Sequence, residues 1–483
     1  MSTGRTILKN ISALFGAQLI TGLLTPLLLI YIARKLGDEV FGKYSYVLAL
    51  TTIFLLISEF GIKSVAIRDI ARDSSKIGTY LINVVVLKLL FSVFSLFVLI
   101  LFVNLMNPPH DTTLAAYIFA GGLFFQSMSY AFRWIFHALQ IMEYEALHRV
   151  LERALLLVMS VAVIWKGFGL IALSWVFLVT QVIIFIMSIF FVAKKIVIPR
   201  LKVDLSFCKY VIQTAIFFAF CEVLWIIYFK IDLVMLAKLK GETEVGWYNA
   251  AYVIVNFVTL ISMLSMQAIF PALSDFYNRE RHRLKKTIEI SLRYLLLIAL
   301  AAVPVLFLFS DRIINLIYGS GYSDSINALK VLIFVIIFLF PGNLFAHTLA
   351  SSNRHKMLSL INFTGVIVNI GLNFILIPRF SYMGAGIATV ITEVMLCFLL
   401  YYAVLRFIKI QGSKIILSLL PGLVAMVLII HMASPFPWIP VIVFSLLVYF
   451  VSAFLTGCIK REDLSLLFRI IKKETPLSIE EMK

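Results

Sequence analysis

Residues 79–104 read TYLINVVVLKLLFSVFSLFVLILFVN. Lys88 is the only charge in this run. The run is long enough to cross the roughly 30 Å hydrocarbon core of a bilayer as one helix. Its apolar residues are continuous and do not alternate with polar ones, which excludes a strand of an outer-membrane barrel. Working outward, the chain divides into fourteen such segments, near residues 7–33, 40–60, 79–104, 113–138, 146–166, 168–193, 210–237, 246–271, 288–310, 326–349, 357–378, 384–408, 414–433 and 438–458. The first is too long for the apolar core of a cleavable signal and reads as a span. Over all 483 residues the chain is 62% hydrophobic and 14% charged, with a mean hydropathy of +1.02. An average soluble domain is about 45–50% apolar and about 25% charged, so a soluble enzyme and a disordered chain are both excluded. The expected fold class is an all-α polytopic membrane protein with about 14 transmembrane helices.

The net charge is +17, from 42 Lys and Arg against 25 Asp and Glu. In a soluble protein this would suggest nucleic acid. In a membrane protein, cations gather in cytoplasmic connections. With the N-terminus placed inside, 30 cations fall in inside connections and 9 in outside ones. Most of the charge is therefore topology, no nucleic-acid partner is expected, and both termini are expected in the cytoplasm. Three cations remain, Lys88, Arg133 and Lys230, and all lie well inside apolar segments. A charge at mid-membrane costs about 2.5–3.5 kcal/mol on insertion scales, so such residues face a polar cavity or a partner.

Helical spacing groups other polar residues with them. Lys88, Ser92 and Ser95 share one face; Gln126, Tyr130, Arg133 and His137 share another. Trp225, Tyr228 and Asp232 form a stripe in the seventh segment. Asn249, Tyr252, Asn256 and Thr259 lie in the eighth, Asn362, Asn369 and Asn373 in the eleventh, and Gln18, Thr21 and Thr25 in the first. Hydroxyls and amides in a membrane helix can serve only to hold helices together; a cation is not needed for that. Glu59, Glu222, Asp232 and Glu393 are the acids within or at the ends of segments. They read either as partners of the three cations or as protonatable or cation-binding groups, with Glu222, Asp232 and Glu393 the coupling candidates. Prolines interrupt segments at Pro26, Pro271, Pro304, Pro341 and Pro421, and Pro341-Gly342 is the expected hinge. Cys208, Cys221, Cys397 and Cys458 form no C-x-x-C pair and the histidines show no ligand spacing, so no metal, cofactor or redox role is expected. There is no P-loop. Gly384-Ala-Gly386 lacks the third glycine and the preceding strand of a dinucleotide fingerprint.

An internal repeat also emerges. Gly37-Asp-Glu-Val-Phe-Gly42-Lys-Tyr44 and Gly241-Glu-Thr-Glu-Val-Gly246-Trp-Tyr248 are both G-x-x-x-x-G-x-Y, 204 residues apart. Gly167-Phe-Gly169 and Gly384-Ala-Gly386 form a second pair, 217 apart. Nearly equal offsets suggest two six-span halves of parallel topology, with substrate bound between them as in transporters. The domains expected are an N-lobe at 1–200, a C-lobe at 201–410, two extra spans at 411–458 and a basic tail at 459–483.

Several stretches resemble the polysaccharide transporter (oligosaccharide flippase) family. They are Asp232-Leu-Val-Met-Leu followed by Gly246-Trp-Tyr-Asn-Ala-Ala-Tyr252, Leu139-Gln-Ile-Met-Glu-Tyr-Glu-Ala146 running into Val150-Leu-Glu-Arg153, Ile317-Tyr-Gly319 with Tyr322 and Ala328-Leu329, and Asn369-Ile-Gly-Leu-Asn373 through Ile377-Pro378 to Gly384-Ala-Gly-Ile-Ala-Thr389. The resemblance implies the multidrug/oligosaccharidyl-lipid/polysaccharide exporter fold, with two six-helix lobes around a central cavity. It further implies translocation of a polyprenyl-diphosphate-linked oligosaccharide across the cytoplasmic membrane, as by O-antigen flippases. Lys88, Arg133 and Lys230 would then face an anionic diphosphate. Gln126, Tyr130, Asn249, Tyr252, Asn256 and Asn369 would face sugar. Membrane lipid, H+ or Na+, and a polysaccharide polymerase or glycosyltransferases are the further partners this reading admits. Two alternatives stay open: a cation-coupled exporter of drug-like amphiphiles on the same fold, and a non-transporting membrane subunit of a polysaccharide assembly complex.

Overall fold

The computed structural model describes residues 3–73, 77–195, 203–410, 412–433 and 436–459; within these, the side chains of residues 3–8, 11, 71, 195, 217, 221, 225 and 278 are left undescribed. The basic tail from residue 460 onward and the side chains of Cys221 and Trp225 lie outside the described residues. Fifteen α-helices make up almost all of the rest. In order they are α1 (Thr3–Glu59), α2 (Ile62–Arg72), α3 (Ile77–Met106), α4 (His110–Ala138), α5 (Met142–Trp165), α6 (Leu170–Lys195), α7 (Leu205–Lys240) and α8 (Glu242–Arg279). They continue with α9 (Arg281–Leu308), α10 (Ser310–Ile317), α11 (Ser323–Leu332), α12 (Val335–Ser351), α13 (His355–Leu405), α14 (Gly412–Met432) and α15 (Trp438–Leu455). Most of the apolar segments lie on a single helix, but the tenth is divided between α11 and α12, which are bent by 47° where they meet. Eight described helices are long and apolar enough to cross a membrane, or ten if each of two bent pairs counts as one span. The chain is an all-α polytopic membrane protein.

Segments one and two share α1, broken at Gly37, where φ is 84°. Segments eleven and twelve share α13, broken at Ser381, where φ is 53°. The expected proline hinges are not where helices break. Pro26, Pro271, Pro304, Pro341 and Pro421 all sit inside continuous helix. Neighbouring helices and local adjustment satisfy the freed carbonyls, and Pro341-Gly342 passes unbroken through α12.

By density of contacts the chain forms two units. One comprises Met1–Leu264, Arg312–Leu332 and Ser359–Leu396. In it α1 packs against α3, α5 and α7, and α4 against α3 and α6. Residue 61, between α1 and α2, must be glycine. Its φ is 64°, and a Cβ there would stand 2.5 Å from the Ala219 amide nitrogen of α7. This close approach seats α2 in a core of Ile62, Val65, Tyr80, Leu87, Trp134 and Val211. The other unit comprises Ser265–Asp311, Ile333–Leu358 and Cys397–Lys483. There α9 packs against α12, α14 and α15, and the Tyr449 hydroxyl donates to the Leu297 carbonyl at 3.1 Å.

Helix α3 shows how a membrane reverses the usual amphipathic rule. Lys88, Ser92 and Ser95 are fully buried, while Leu90, Phe97 and Leu105 are 61%, 64% and 68% exposed. Where the solvent is hydrocarbon, the apolar face turns outward and the polar stripe turns in.

Beside α2, Asp69 accepts hydrogen bonds from Tyr80 (2.5 Å), Tyr210 (2.9 Å) and Arg68 (2.8 Å), tying α2 to α3 and α7. Burial opposes its ionisation, but these donors outweigh burial and hold the carboxyl below its usual range. A depressed carboxyl stabilises the fold above its unfolded value, near about 3.9, and loses that contribution as pH falls through its folded value. Asp69→Asn should therefore cost about 1–3 kcal/mol at neutral pH. Thermal aggregation of the detergent-purified protein should show the gap between variant and wild type closing in acid. A gap independent of pH would refute the ionised network.

Candidate functional site

Two of the three intramembrane cations are enclosed by carboxylates within the first unit. Lys88 is completely buried. Its ammonium pairs with Glu59 at the end of α1, donates to the Ser127 hydroxyl at 3.2 Å, and stands 4.5 Å above the Trp134 ring. Ser92 bonds Ser127 at 2.9 Å, and Ser95 donates to the Phe54 carbonyl at 2.6 Å, so the polar stripe of α3 is fully engaged.

Arg133 lies on an adjacent face of α4. Its guanidinium grips Glu145 with two parallel bonds, 2.9 and 2.8 Å, and reaches Glu152 at 3.4 Å. Arg149 adds a bond to Glu145 at 2.7 Å, and Gln181 donates to Glu152 at 3.2 Å. Tyr130 lies under the guanidinium at 4.9 Å, and Gln126 donates to the Tyr130 hydroxyl at 3.4 Å. Of the four acids the sequence offers as partners, Glu59 pairs with Lys88, whereas Glu222, Asp232 and Glu393 are in no ion pair among the described residues; Arg133 pairs instead with Glu145 and Glu152. Residues 145, 149 and 152 are spaced to share one helix face, a signal in plain view.

Lys230 is half-buried and, among the described residues, is in no ion pair; its nearest charged influence is Asp232. The three cations therefore occupy three separate settings.

Two of the three coupling candidates, Asp232 and Glu393, form a further group on α7, α8 and α13. Tyr228 donates to Glu393 at 2.6 Å. Tyr248 donates to Asp232 at 2.5 Å, and the Leu233 amide to the same carboxylate at 2.9 Å. Thr389 lies 3.4 Å from the Tyr248 hydroxyl, and Tyr252 stacks on Tyr248 with centroids 5.7 Å apart. Each acid is held by a neutral phenol. Glu222 is half-buried, with Glu59, Lys63 and Lys88 as its charged neighbours. Asn373 donates to Asn369 at 3.0 Å, whereas Asn256 is exposed.

The repeat motif meets itself. A Cβ on Gly42 would collide with the Glu242 carbonyl, and one on Gly246 with the Asp38 carbonyl. Residues 38 and 242, like 42 and 246, differ by 204, the repeat offset, so the contact is reciprocal. Asn249 donates to Ser45 at 2.8 Å, again a residue and its own counterpart. Gly37 and Gly241, with φ of 84° and 105°, make the two equivalent turns. The glycine pair at 167–169 and 384–386 is not brought together in this way: nothing lies within 4 Å of a Cβ at Gly167 or Gly169, whereas one at Gly384 would strike the Leu376 carbonyl.

Known proteins carry the same chain pattern. A "Probable low-salt glycan biosynthesis flippase" of Haloferax volcanii is 21% identical over 366 residues, 75% of this chain and 76% of that protein. A capsular polysaccharide biosynthesis protein of Staphylococcus aureus is 21% identical over 402 residues, 82% of this chain and 98% of that one. Among solved structures, a lipid II flippase in an inward closed conformation superposes with a TM-score of 0.75 at 15% identity, covering 92% of this chain and 98% of that one. The MatE family matches residues 215–375. The match to the polysaccharide biosynthesis protein family runs over residues 7–277, through the buried cations, the self-facing glycines and the Asp232 pair alike, and the chain belongs to that family.

Proposed function

We propose that this protein is a flippase. It moves a polyprenyl-diphosphate-linked oligosaccharide across the cytoplasmic membrane by alternating access between lobes at 1–200 and 201–410, for cell-surface polysaccharide synthesis. The observation that carries the reading is Lys88, a fully buried cation within a span, beside the Ser127 hydroxyl and paired with Glu59. Helix packing alone calls for small and hydroxyl residues; a buried lysine and its glutamate go beyond that need and set a cation where an anionic head group can be met. The flippase name of the Haloferax relative supports the same conclusion. The cation distribution supports cytoplasmic termini. Substrate would then enter at the α1–α2 end, beside Lys88.

The phenol-held acids suit ion coupling, and one of them, Asp232, lies within the segment that the MatE family matches, which favours the drug-exporter reading as the second choice. A purified-protein assay in liposomes separates the readings. At least one lipid-linked oligosaccharide from a panel should change leaflet. Export of amphiphilic cations without any lipid-linked sugar would favour the exporter, and transport of neither would favour an assembly subunit.

Coupling gives a separate expectation. Asp232→Asn and Glu222→Gln should accumulate normally yet lose the gradient-driven part of flipping, roughly a 5–150-fold effect for an ordinary coupling energy. Full gradient dependence in both variants would move coupling elsewhere.

A further inference from the structure

We propose that Glu59 is an exchange partner: it holds Lys88 until a diphosphate displaces it, and it then takes up a proton. This rests on the flippase reading and gives that reading a specific anion site.

The geometry sets the order of events. The Lys88 side chain has no exposed surface, whereas that of Glu59 retains 12%. Glu59 is therefore the more accessible member of the pair. The other contacts of Lys88 are neutral, the Ser127 hydroxyl and the Trp134 ring, and they leave one coordination direction, which Glu59 fills. An arriving diphosphate oxygen can bond the ammonium only by taking the place of that carboxylate. Glu59 is also the last residue of α1. Phe60 and Gly61 follow with φ of 41° and 64°, so the carboxylate sits at a chain reversal and not in mid-helix.

The charges around Glu59 decide what happens when it lets go. From α3 it faces Lys88, from α7 Glu222 and from α4 Tyr130, while Lys63 of α2 acts on Lys88 and Glu222. Once Lys88 turns to the diphosphate, Glu59 has a second carboxylate and a multiply charged anion as neighbours and has lost its ion-pair partner. Like charges at close range in a poorly solvated site cannot all stay ionised. Glu59 is the group that can move aside and accept a proton from water. Loss of that proton restores the Glu59–Lys88 pair and evicts the diphosphate. Each diphosphate bound thus brings one proton with it.

The test uses the full chain in nanodiscs, with farnesyl diphosphate as the probe. Calorimetric titration in two buffers of different ionisation heat counts protons taken up per ligand. Wild type should take up about one. Glu59→Gln should still bind but take up none, and Lys88→Ala should bind on the order of tenfold more weakly or worse, as for loss of a charge-assisted hydrogen bond. Unchanged proton uptake in Glu59→Gln overturns the exchange, as does unchanged binding by Lys88→Ala. If either single variant fails to accumulate, the double variant E59Q/K88Q leaves no lone buried charge. It should neither bind the probe nor take up a proton, whereas a purely structural pair predicts wild-type binding. If wild type neither binds the probe nor flips any lipid-linked sugar, the flippase reading falls as well. If wild type flips and Glu59→Gln keeps its proton uptake, only the exchange falls.

Discussion

Replacing Glu145 with alanine should remove most of the folded protein from the membrane. Glu145 is almost fully buried and accepts two bonds from Arg133 and one from Arg149, with His137 a further 3.7 Å away. Without it, Arg133 keeps only the longer contact to Glu152 at 3.4 Å. A buried charge left without its partner costs about 3–5 kcal/mol. Total stability of a domain is of order 5–15 kcal/mol, so a loss of that size is large. Membrane abundance of a fluorescent fusion measures it, together with denaturant midpoints of whatever accumulates. Arg133→Ala should behave alike, and the double variant should lose less than the two singles combined, because the pair acts as one. Wild-type abundance of Glu145→Ala would mean that the network contributes nothing to folding and that Arg133 is free for substrate.

The second large effect is expected at Gly42. Alanine there places a methyl group inside the Glu242 carbonyl, and backbone cannot yield as a side chain can. The α1 and α8 segments must separate. Overpacking of this kind costs about 1–3 kcal/mol, and the more direct signature is loss of contact. With Ser45 and Asn249 replaced by cysteine on a background lacking Cys208, Cys221, Cys397 and Cys458, oxidation should link the two positions, whose native side chains meet at 2.8 Å. Adding Gly42→Ala should abolish the link and flipping together. A link that still forms at the original rate would show the two backbones to be loosely apposed.

How much of this was legible in the sequence depends on the range of the interaction. Spans were legible because a membrane demands an uninterrupted apolar run, a property of adjacent residues. The repeat was legible because glycine spacing survives in both copies, and its first pair does meet. Proline misled, since the expected break at Pro341-Gly342 is continuous helix, whereas Gly37 and Ser381 break the chain through positive φ. Lys88 and Arg133 stand out as costly cations, and Glu59 stands among the acids that could answer them, but the pairing itself is not legible. Glu59 lies 29 residues from Lys88, and only the packing of α1 on α3 joins them. Glu145 and Glu152 are nearer to Arg133, one just before the fifth apolar segment and one inside it, beside Arg149 and Arg153, so that their charges read as belonging to a cytoplasmic end. The one-sided spacing of 145, 149 and 152 was the overlooked clue.

The self-facing glycine contact has the form of an isologous interface, the kind found between identical subunits. In a true homodimer any substitution appears on both sides of the axis at once. Here the two copies are joined in one chain, so one side can change alone. Lys43 answers to Trp247, and Ser45 to Asn249. Trp247 donates to Asp38 at 2.7 Å, whereas Lys43 does not make the equivalent bond to Glu242 but turns to Asp111 at 2.7 Å. Glu242 accepts instead from Thr112 at 2.8 Å. Covalent linkage has thus released the contact from strict symmetry where side chains meet, while keeping it where backbones touch. A device built from two equal halves can in this way be given a front and a back, as a machine that must move its cargo in one direction requires.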